Sequence, residues 1–577
     1  MMGYRYLVIP NELEAADGQD HRALLQALGL RHQSPMGRFA VLAAVGTPTL
    51  SVQERCVIVG HLFRNDGGLV RDGEDIPLFA APADLEAHLL GNFWGDYILL
   101  QGLPADSSLV VMRSPSGGMP CFYAGQSDRR FVTSDVSAAV SLGLCKKEVD
   151  WNHIRHGLTF PYLRAQQTGI SGVRELLPGC SLRMGRQATA VHRAWSPWQF
   201  VAPGRRYGDA LEAAQAVRQA VARAVQAWAE VDRKILLEIS GGLDSSIVAA
   251  CLGQATVEVQ ACTLVTPVPG ADERDYARTM MDHVGFSLDE EHIRFEDARF
   301  EFAVSQSSTV PMVGILHYAS DKAMEVAGDR GGAASYFSGG GGDTIFCYLK
   351  GAAPAADAFK EHGLSAGMTA IRDLATLHQC TWWKAAKLTL RKLRSRPHLL
   401  WKADTNFLAP SGVSQPHEHH PWFDLPADIL PGDRERIFEL IGAQSFKDGV
   451  PRDERRPVRF PLLAQPVVEA CLRAPTWMWI AEGRNRSVAR AAFADRLPAA
   501  ILSRRSKGSY LNYCGAVYAR QKSGMRDFLL GGRLRSHGYL DTAQLERFFA
   551  ADLPARDLSF LRIFDLCMVE NWVRQQT

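Results

Sequence analysis

Hydrophobic positions change their period once along the 577 residues. Up to about residue 200, short apolar runs recur: Tyr4–Ile9, Phe39–Ala44, Cys56–Gly60, Tyr97–Leu100, Ser108–Met112 and Cys121–Ala124, punctuated by Gly, Pro, Asn and Asp. Runs of that length and spacing predict the strands of a sheet-rich layered domain. The texture shifts near Pro197–Gly208. From Asp209 to Val231, apolar residues fall at three- and four-residue steps, which predicts an amphipathic helix. A strand at Ile235–Ile239, a Gly-rich turn, a helix at Ser245–Leu252 and a strand at Val257–Val265 follow. That alternation predicts a parallel α/β sheet. Beyond about residue 350 the pattern is mostly helical. The boundary is placed near 205, giving domains 1–205 and 206–577.

Composition narrows the class. Hydrophobic residues make up 46% and charged ones 22%, an ordinary globular balance. The formal net charge of +2 argues against a nucleic-acid binder. Eleven Cys, an odd number with no C-x-x-C, fit neither a disulfide framework nor a zinc ribbon. A reducing cytoplasm is the expected setting. No signal peptide and no run near the roughly 18 apolar residues of a membrane span is present, so no membrane partner is expected. The stretch Trp382–Lys402 is basic without one acid and reads as a solvated helix face. The Pro- and His-rich segment Pro410–Pro431 reads as a mobile loop. Within it, His417-Glu418-His419-His420 lacks metalloprotease spacing.

The chemistry concentrates in two Gly-rich turns. Ser240-Gly241-Gly242-Leu243-Asp244-Ser245-Ser246 directly follows an apolar strand. Its glycines let the backbone turn tightly. Its hydroxyls and the amides of the next helix start suit phosphate oxygens. It lacks the lysine of a Walker A loop and the G-x-S-x-G of a nucleophile elbow. Asp244 belongs in a phosphate cradle if Mg²⁺ stands between the carboxylate and the anion. Tyr336-Phe337-Ser338-Gly339-Gly340-Gly341-Gly342-Asp343 is a second strand end, turn and acid. Asp244 and Asp343 are therefore expected to meet at one metal.

Together these stretches resemble the asparagine-synthetase-like ATP pyrophosphatases. Ser240–Ser246 resembles their S-G-G-x-D-S pyrophosphate loop, and Phe337–Asp343 their second loop. Asp272-Glu273 with Tyr276-Ala277, Arg459–Leu463, and Leu497-Pro498 through Lys507-Gly508 resemble further segments of that family. Arg113–Gly117 and Thr168–Gly179 resemble parts of a class II glutaminase domain and its linker. The resemblance implies an N-terminal Ntn-hydrolase-like αββα sandwich followed by an α/β ATP-pyrophosphatase domain with a largely helical C-terminal part. It implies ATP and Mg²⁺ as cofactors, with nucleotide contacts from Ser240, Gly241, Gly242, Asp244, Ser245, Ser246, Ser338 and Gly339. Asp244 and Asp343 would hold the metal. Lys507 would be the cation facing the oxyanion and phosphate oxygens.

Two departures shape the expected reaction. Position 2 is Met and position 3 is Gly, where a working glutaminase exposes a Cys, so glutamine hydrolysis is expected to be lost. Gly340 stands where asparagine synthetases carry Glu and β-lactam synthetases Tyr. Its missing side chain is expected to open room for a bulkier substrate with its own amine. The pattern is similar to lasso peptide cyclases, which form macrolactams. That resemblance implies a leader-cleaved precursor peptide as substrate and a leader peptidase as partner. A small-molecule amide or β-lactam synthetase, or an ammonia-dependent asparagine synthetase, is the alternative.

Overall fold

The computed structural model describes residues 4–576 apart from 17, 53–54, 78, 80, 104–106, 126–128, 187, 271, 395–400, 416–419, 448–449, 506–507, 509 and 555–556; for 14–16, 18–22 and 35 it describes the backbone alone. The N-terminal strands are β1 (Tyr6–Pro10), β2 (Leu30–Met36), β3 (Phe39–Ala44), β4 (Thr49–Ser51), β5 (Cys56–Arg64), β6 (Phe93–Leu103), β7 (Ser108–Arg113), β8 (Phe122–Ala124), β9 (Phe131–Thr133), β10 (Arg174–Glu175), β11 (Cys180–Met184) and β12 (Thr189–Arg193). They form two antiparallel six-stranded sheets, ordered β10-β8-β9-β1-β3-β2 and β12-β11-β7-β6-β5-β4.

Alternation along the strands builds the layers. Tyr6, Val8, Val41 and Val132 of the first sheet meet Val57, Val59, Ile98, Leu100 and Val111 of the second. The opposite set on the second sheet, Ile58, Leu62 and Leu99, packs against Leu85 and Leu89 of helix α1 (Pro82–Asn92). The opposite set on the first, Leu7, Ile9 and Leu42, joins Ile154 and Leu158 of helix α2 (Trp151–Thr159). The result is an αββα sandwich, as the resemblance implied.

The second half centres on a five-stranded parallel sheet. Its strands are β13 (Lys234–Glu238), β14 (Glu258–Val265), β15 (Ser287–His292), β16 (Ser335–Phe337) and β17 (Val458–Arg459), ordered β15-β14-β13-β16-β17. Both faces are covered, which is why β13 reads as continuously apolar. Ile235 and Leu237 pack under helices α3 (Ala210–Asp232), α4 (Leu243–Leu252) and α5 (Arg274–Val284). Leu236 faces Met324 and Ala327 of helix α6 (Ile315–Gly331). Helices α7 (Ala353–Leu377), α8 (Trp382–Arg394), α9 (Pro431–Ala443), α10 (Leu511–Leu530) and α11 (Phe560–Gln576) give the rest of the chain its helical character. Val517 and Trp572, on α10 and α11, belong to the same apolar cluster as the outer face of the first sheet.

One expectation is corrected here. Part of Pro410–Pro431 is packed, with Gly412, Ser414, His420 and Trp422 buried, while Ser411, Gln415, Asp424 and residues 426–428 are exposed. Trp422 is 1% exposed, and its carbonyl accepts a hydrogen bond from Trp198 Nε1 at 3.0 Å. His417, Glu418 and His419 lie outside the described residues, while buried His420 Nδ1 accepts from the Trp422 amide at 3.1 Å. On α8 the basic side chains flank buried Ala385 and Thr389, Lys392 pairs with Glu435, and Trp383 is exposed. No helix among the described residues is long and apolar enough to cross a membrane.

Candidate active site

The site sits at the carboxyl ends of β13 and β16, where an open parallel sheet places its ligand crevice. After β13 the chain turns at Gly241, whose φ of +64° is left-handed. A Cβ there would stand 2.4 Å from Tyr276 Cβ and 2.7 Å from the Ala277 amide, so only Gly fits against α5. Gly242 then begins α4 with no side-chain cap. The first amides of such a helix are donors in need of an anion. The Ser240 and Ser245 hydroxyls lie 3.3 Å apart beside them.

The second turn docks on the first. A Cβ on Gly339 would lie 2.6 Å from the Ser245 amide, and one on Gly342 would lie 2.5 Å from Asp244 Cβ. These two glycines let the loops touch, which brings the acids together. Arg486 Nη1 donates to Asp244 Oδ1 and Oδ2 at 3.0 and 3.1 Å and to Asp343 Oδ1 at 2.8 Å. Two carboxylates thus converge on one positive nitrogen. Mg²⁺ takes one or two carboxylates plus phosphate oxygens, and this all-oxygen pair fits it. No group of three or more His, Cys, Asp or Glu gathers as a metal site among the described residues.

A cavity of about 550 Å³ opens over the loops. Ser240, Gly242, Asp244, Ser245, Ser338, Gly339 and Asp343 line it together. Gly241 stands behind the wall as a packing residue. Ser246 does not reach the cavity: it is fully buried, and its hydroxyl has no partner among the described residues. Lys507 lies outside the described residues, while Arg504 and Arg505 just before it line the cavity. Arg504 pairs with Glu273, donates to the Gly241 carbonyl at 3.0 Å and lies 3.9 Å over the Tyr276 ring. The Gly508 amide donates to Glu273 at 2.8 Å. Three separate sequence segments therefore meet at the first loop.

Gly340 needs a correction. Its missing side chain leaves no open room, because a Cβ there would stand 2.8 Å from the Phe460 ring. Phe460, on the same cavity wall, fills that space.

Sequence reasoning missed Arg486 and Arg490. Arg486 has a left-handed φ of 53°, uncommon for any residue other than glycine, and begins the short helix Ser487–Ala492. Arg490 also lines the cavity; burial, with Arg486 and Arg484 nearby, lowers its pKa to about 10, so it stays cationic at neutral pH. No motif marks either residue. The only signal was an Arg-rich run, Arg484 to Arg490, far from the loops.

The N-terminal thiols are poor nucleophiles. Burial pushes Cys56 and Cys180 up to about 12, and Cys121 and Cys145 to about 11. Arg113 of the glutaminase-like turn is a structural residue. It donates to Glu175 Oε1 at 2.6 Å, to the Leu176 carbonyl at 2.9 Å and to the Gly117 carbonyl at 2.9 Å.

Comparison with known proteins agrees with the second-half geometry. A carboxyethyl-arginine beta-lactam-synthase of Streptomyces clavuligerus is 32% identical over 128 residues, 22% of this chain. The match spans about a quarter of that relative's length, 24%. The solved allosteric regulatory enzyme of purine biosynthesis aligns over 58% of this chain and 83% of its own, at 10% identity and a TM-score of 0.21. Glutamine phosphoribosylpyrophosphate amidotransferase from B. subtilis, complexed with ADP and GMP, aligns over 59% and 76%, at 10% identity and a TM-score of 0.20. At those scores neither structure bears on the fold. Residues 216–574, well over half of the chain, match the family described as Asparagine synthase. The chain belongs to the asparagine synthase family.

Proposed function

We propose that this protein is an ATP-dependent carbon–nitrogen ligase that releases AMP and pyrophosphate. The observation that carries the reading is the convergence of Asp244 and Asp343 on one cation position above the uncapped start of α4. A carboxylate does not condense with an amine in neutral water without activation. In the proposed reaction the substrate carboxylate attacks the α-phosphorus of ATP, forming an acyl-adenylate and pyrophosphate. The α4 amides and the Ser240 and Ser245 hydroxyls hold the departing pyrophosphate, and Arg490 and Arg504 neutralise its charge. Mg²⁺, held by Asp244 and Asp343, would supply further charge neutralisation at the phosphates. Leu264, Ile293, Leu316 and Met324 also line the cavity and supply apolar surface that suits an adenine ring. An amine then attacks the acyl carbon, AMP leaves, and Lys507 is the proposed partner of the oxyanion.

Our finer reading is that acid and amine belong to one leader-cleaved peptide, so that the product is a macrolactam. Its support is space. A second cavity of about 690 Å³ adjoins the first, and each is large enough for a drug-sized ligand. Holding both ends of a chain together is the entropic part of such a ring closure. A peptidase that frees the amino terminus is the expected partner. The similarity to a beta-lactam-synthase favours the second reading, a small amino-carboxylate closed in the same way.

The test incubates the full chain with ATP, Mg²⁺ and either a short leader-free peptide encoded beside the gene or a panel of small amino-carboxylates. Pyrophosphate release with loss of one water from the peptide supports the macrolactam reading. Water loss from a small amino-carboxylate alone supports the second. Neither pyrophosphate nor AMP with any substrate overturns both.

A further inference from the structure

The second cavity has a chemistry of its own. It shares His317, Asp321, Phe446 and Val450 with the nucleotide cavity, so the two meet along that wall. Tyr162, Trp401 and Phe438 supply aromatic surface. Its charged residues are all acidic: Asp321, Glu435 and Glu439 face it, and no Lys or Arg among the described residues does. Of the cations that pair with two of these acids, Lys392 lines neither cavity, while Arg452 lines the nucleotide cavity beside Asp321. Lys392 pairs with Glu435, and Arg452 donates to Asp321 Oδ1 at 2.5 Å.

Asp321 is the informative member. It is 4% exposed, yet it lines both cavities. Its second oxygen, Oδ2, is buried and has no hydrogen-bond partner among the described residues. A buried carboxylate oxygen left without a donor is costly, and native proteins rarely leave one so unless a ligand completes it. Burial pushes the Asp321 carboxyl up to about 7 against the pull of Arg452. A cation arriving at Oδ2 would restore its charge.

We propose that the second cavity seats the amine substrate and that Asp321 Oδ2 receives its primary ammonium group where the two cavities meet. The ligand class is a primary amine carrying an apolar or aromatic body. Glu435, paired with Lys392, and Glu439, whose carboxyl burial and Glu435 push up to about 7, leave the cavity without a positive side chain among the described residues, and Trp401 and Phe438 pack the body. The purpose assigned to the site rests on the amide-forming reading above, but binding itself requires no turnover.

The experiment titrates the full chain with phenethylamine and with its neutral N-acetyl derivative, read by calorimetry and saturation-transfer NMR. Saturable binding of phenethylamine, at least tenfold weaker for the acetyl derivative and for Asp321→Asn, is the expected result. Because Asp321→Asn alters a buried pair with Arg452, Glu439→Gln on the open wall is the second variant, with about threefold weaker binding expected. Equal affinity for both compounds, or unchanged affinity in both variants, overturns the proposal. Pyrophosphate release is read on the same preparations. Asp321-dependent binding by a protein that never releases pyrophosphate leaves the amine site standing and sinks the ATP reading. Pyrophosphate release without Asp321-dependent binding does the reverse.

Discussion

Asp244 and Asp343 share a single donor, Nη1 of Arg486, at 3.0 and 2.8 Å. Neither acid is near the other in sequence; the contact exists because Gly339 and Gly342 let one loop lie on the other. Arg486 is held there from a left-handed backbone, a conformation that costs a non-glycine residue about 1 kcal/mol or more. Strain kept at the meeting point of two carboxylates points to a working position for positive charge.

From this contact follows a pair of opposite mutational effects. Asp244→Asn and Asp343→Asn should each lower pyrophosphate release by about a hundredfold or more, as expected when charge stabilisation in a transition state is removed. Arg486→Gln should instead lower the Mg²⁺ concentration needed for half-maximal release by roughly threefold, because a competitor for both carboxylates is gone. A Mg²⁺ titration of the three variants reads both effects. An unchanged midpoint in Arg486→Gln would show that guanidinium and metal do not compete.

Gly339→Ala tests the docking of the loops separately from their charges. The new Cβ meets backbone, the Ser245 amide, at 2.6 Å, so no side chain is free to swing away. A cost of about 1–3 kcal/mol is expected for such overpacking. The denaturation midpoint should fall together with pyrophosphate release, while Gly204→Ala, where nothing stands within 4 Å, should change neither.

Much of this was legible in the sequence wherever one residue pattern had one physical reading. The runs at Phe39–Ala44 and Ser108–Met112 are strands because their alternating faces meet two buried layers. The strand, Gly-turn and helix around Ser240 could be read because β13 is buried on both sides and α4 is buried along its whole length. Polar strands escaped notice. Leu30–Met36, Thr189–Arg193 and Ser287–His292 are sheet edges whose residues face solvent or ion pairs, so no apolar run marks them. At the site, loop and acid positions are local and readable. Arg486 is not, since only tertiary folding brings it to Asp244. Phe460 escaped for the same reason: that it occupies the space beside Gly340 is a fact of packing.

Phe460 and Gly340 should therefore be energetically coupled. Gly340→Ala alone drives a methyl to within 2.8 Å of the ring and should destabilise. In a Phe460→Ala background the same change should be nearly neutral. A double-mutant cycle on unfolding free energy is expected to return a coupling of about 0.5–3 kcal/mol. Strict additivity would mean that the ring swings away freely.

The buried thiols make a chemical prediction. With burial holding Cys56 and Cys180 near 12 and Cys121 and Cys145 near 11, each is a neutral thiol at pH 7. A thiolate is required for attack on an amide carbonyl. Incubation with glutamine should give no ammonia above background between pH 6 and 9. Cys56, Cys121 and Cys180 should react with Ellman's reagent only after unfolding. Glutamine-dependent ammonia release would show that a different nucleophile operates in this domain.

The last prediction concerns how the sandwich is held to the rest of the chain. Glu175 accepts from Arg113 at 2.6 Å and also pairs with Arg164, and Arg164 Nη1 donates to the Gln444 carbonyl at 3.2 Å. Burial alone would raise the Glu175 carboxyl, but Arg164 and Arg113 together outweigh it and hold it below the usual glutamate range. The folded state therefore binds this proton less readily than the unfolded chain. Its contribution to stability is complete above the unfolded value, near 4.5, and is lost as pH falls through that value toward the folded one. Glu175→Gln should lower stability at pH 7 by about 3–5 kcal/mol, because it leaves two buried guanidinium groups without their anion. It should also flatten the acid limb of the stability profile. Urea unfolding between pH 7 and 3 reads both. If the wild type and the variant lose stability in parallel on acidification, Glu175 is not the group whose protonation loosens the sandwich from the second half of the chain.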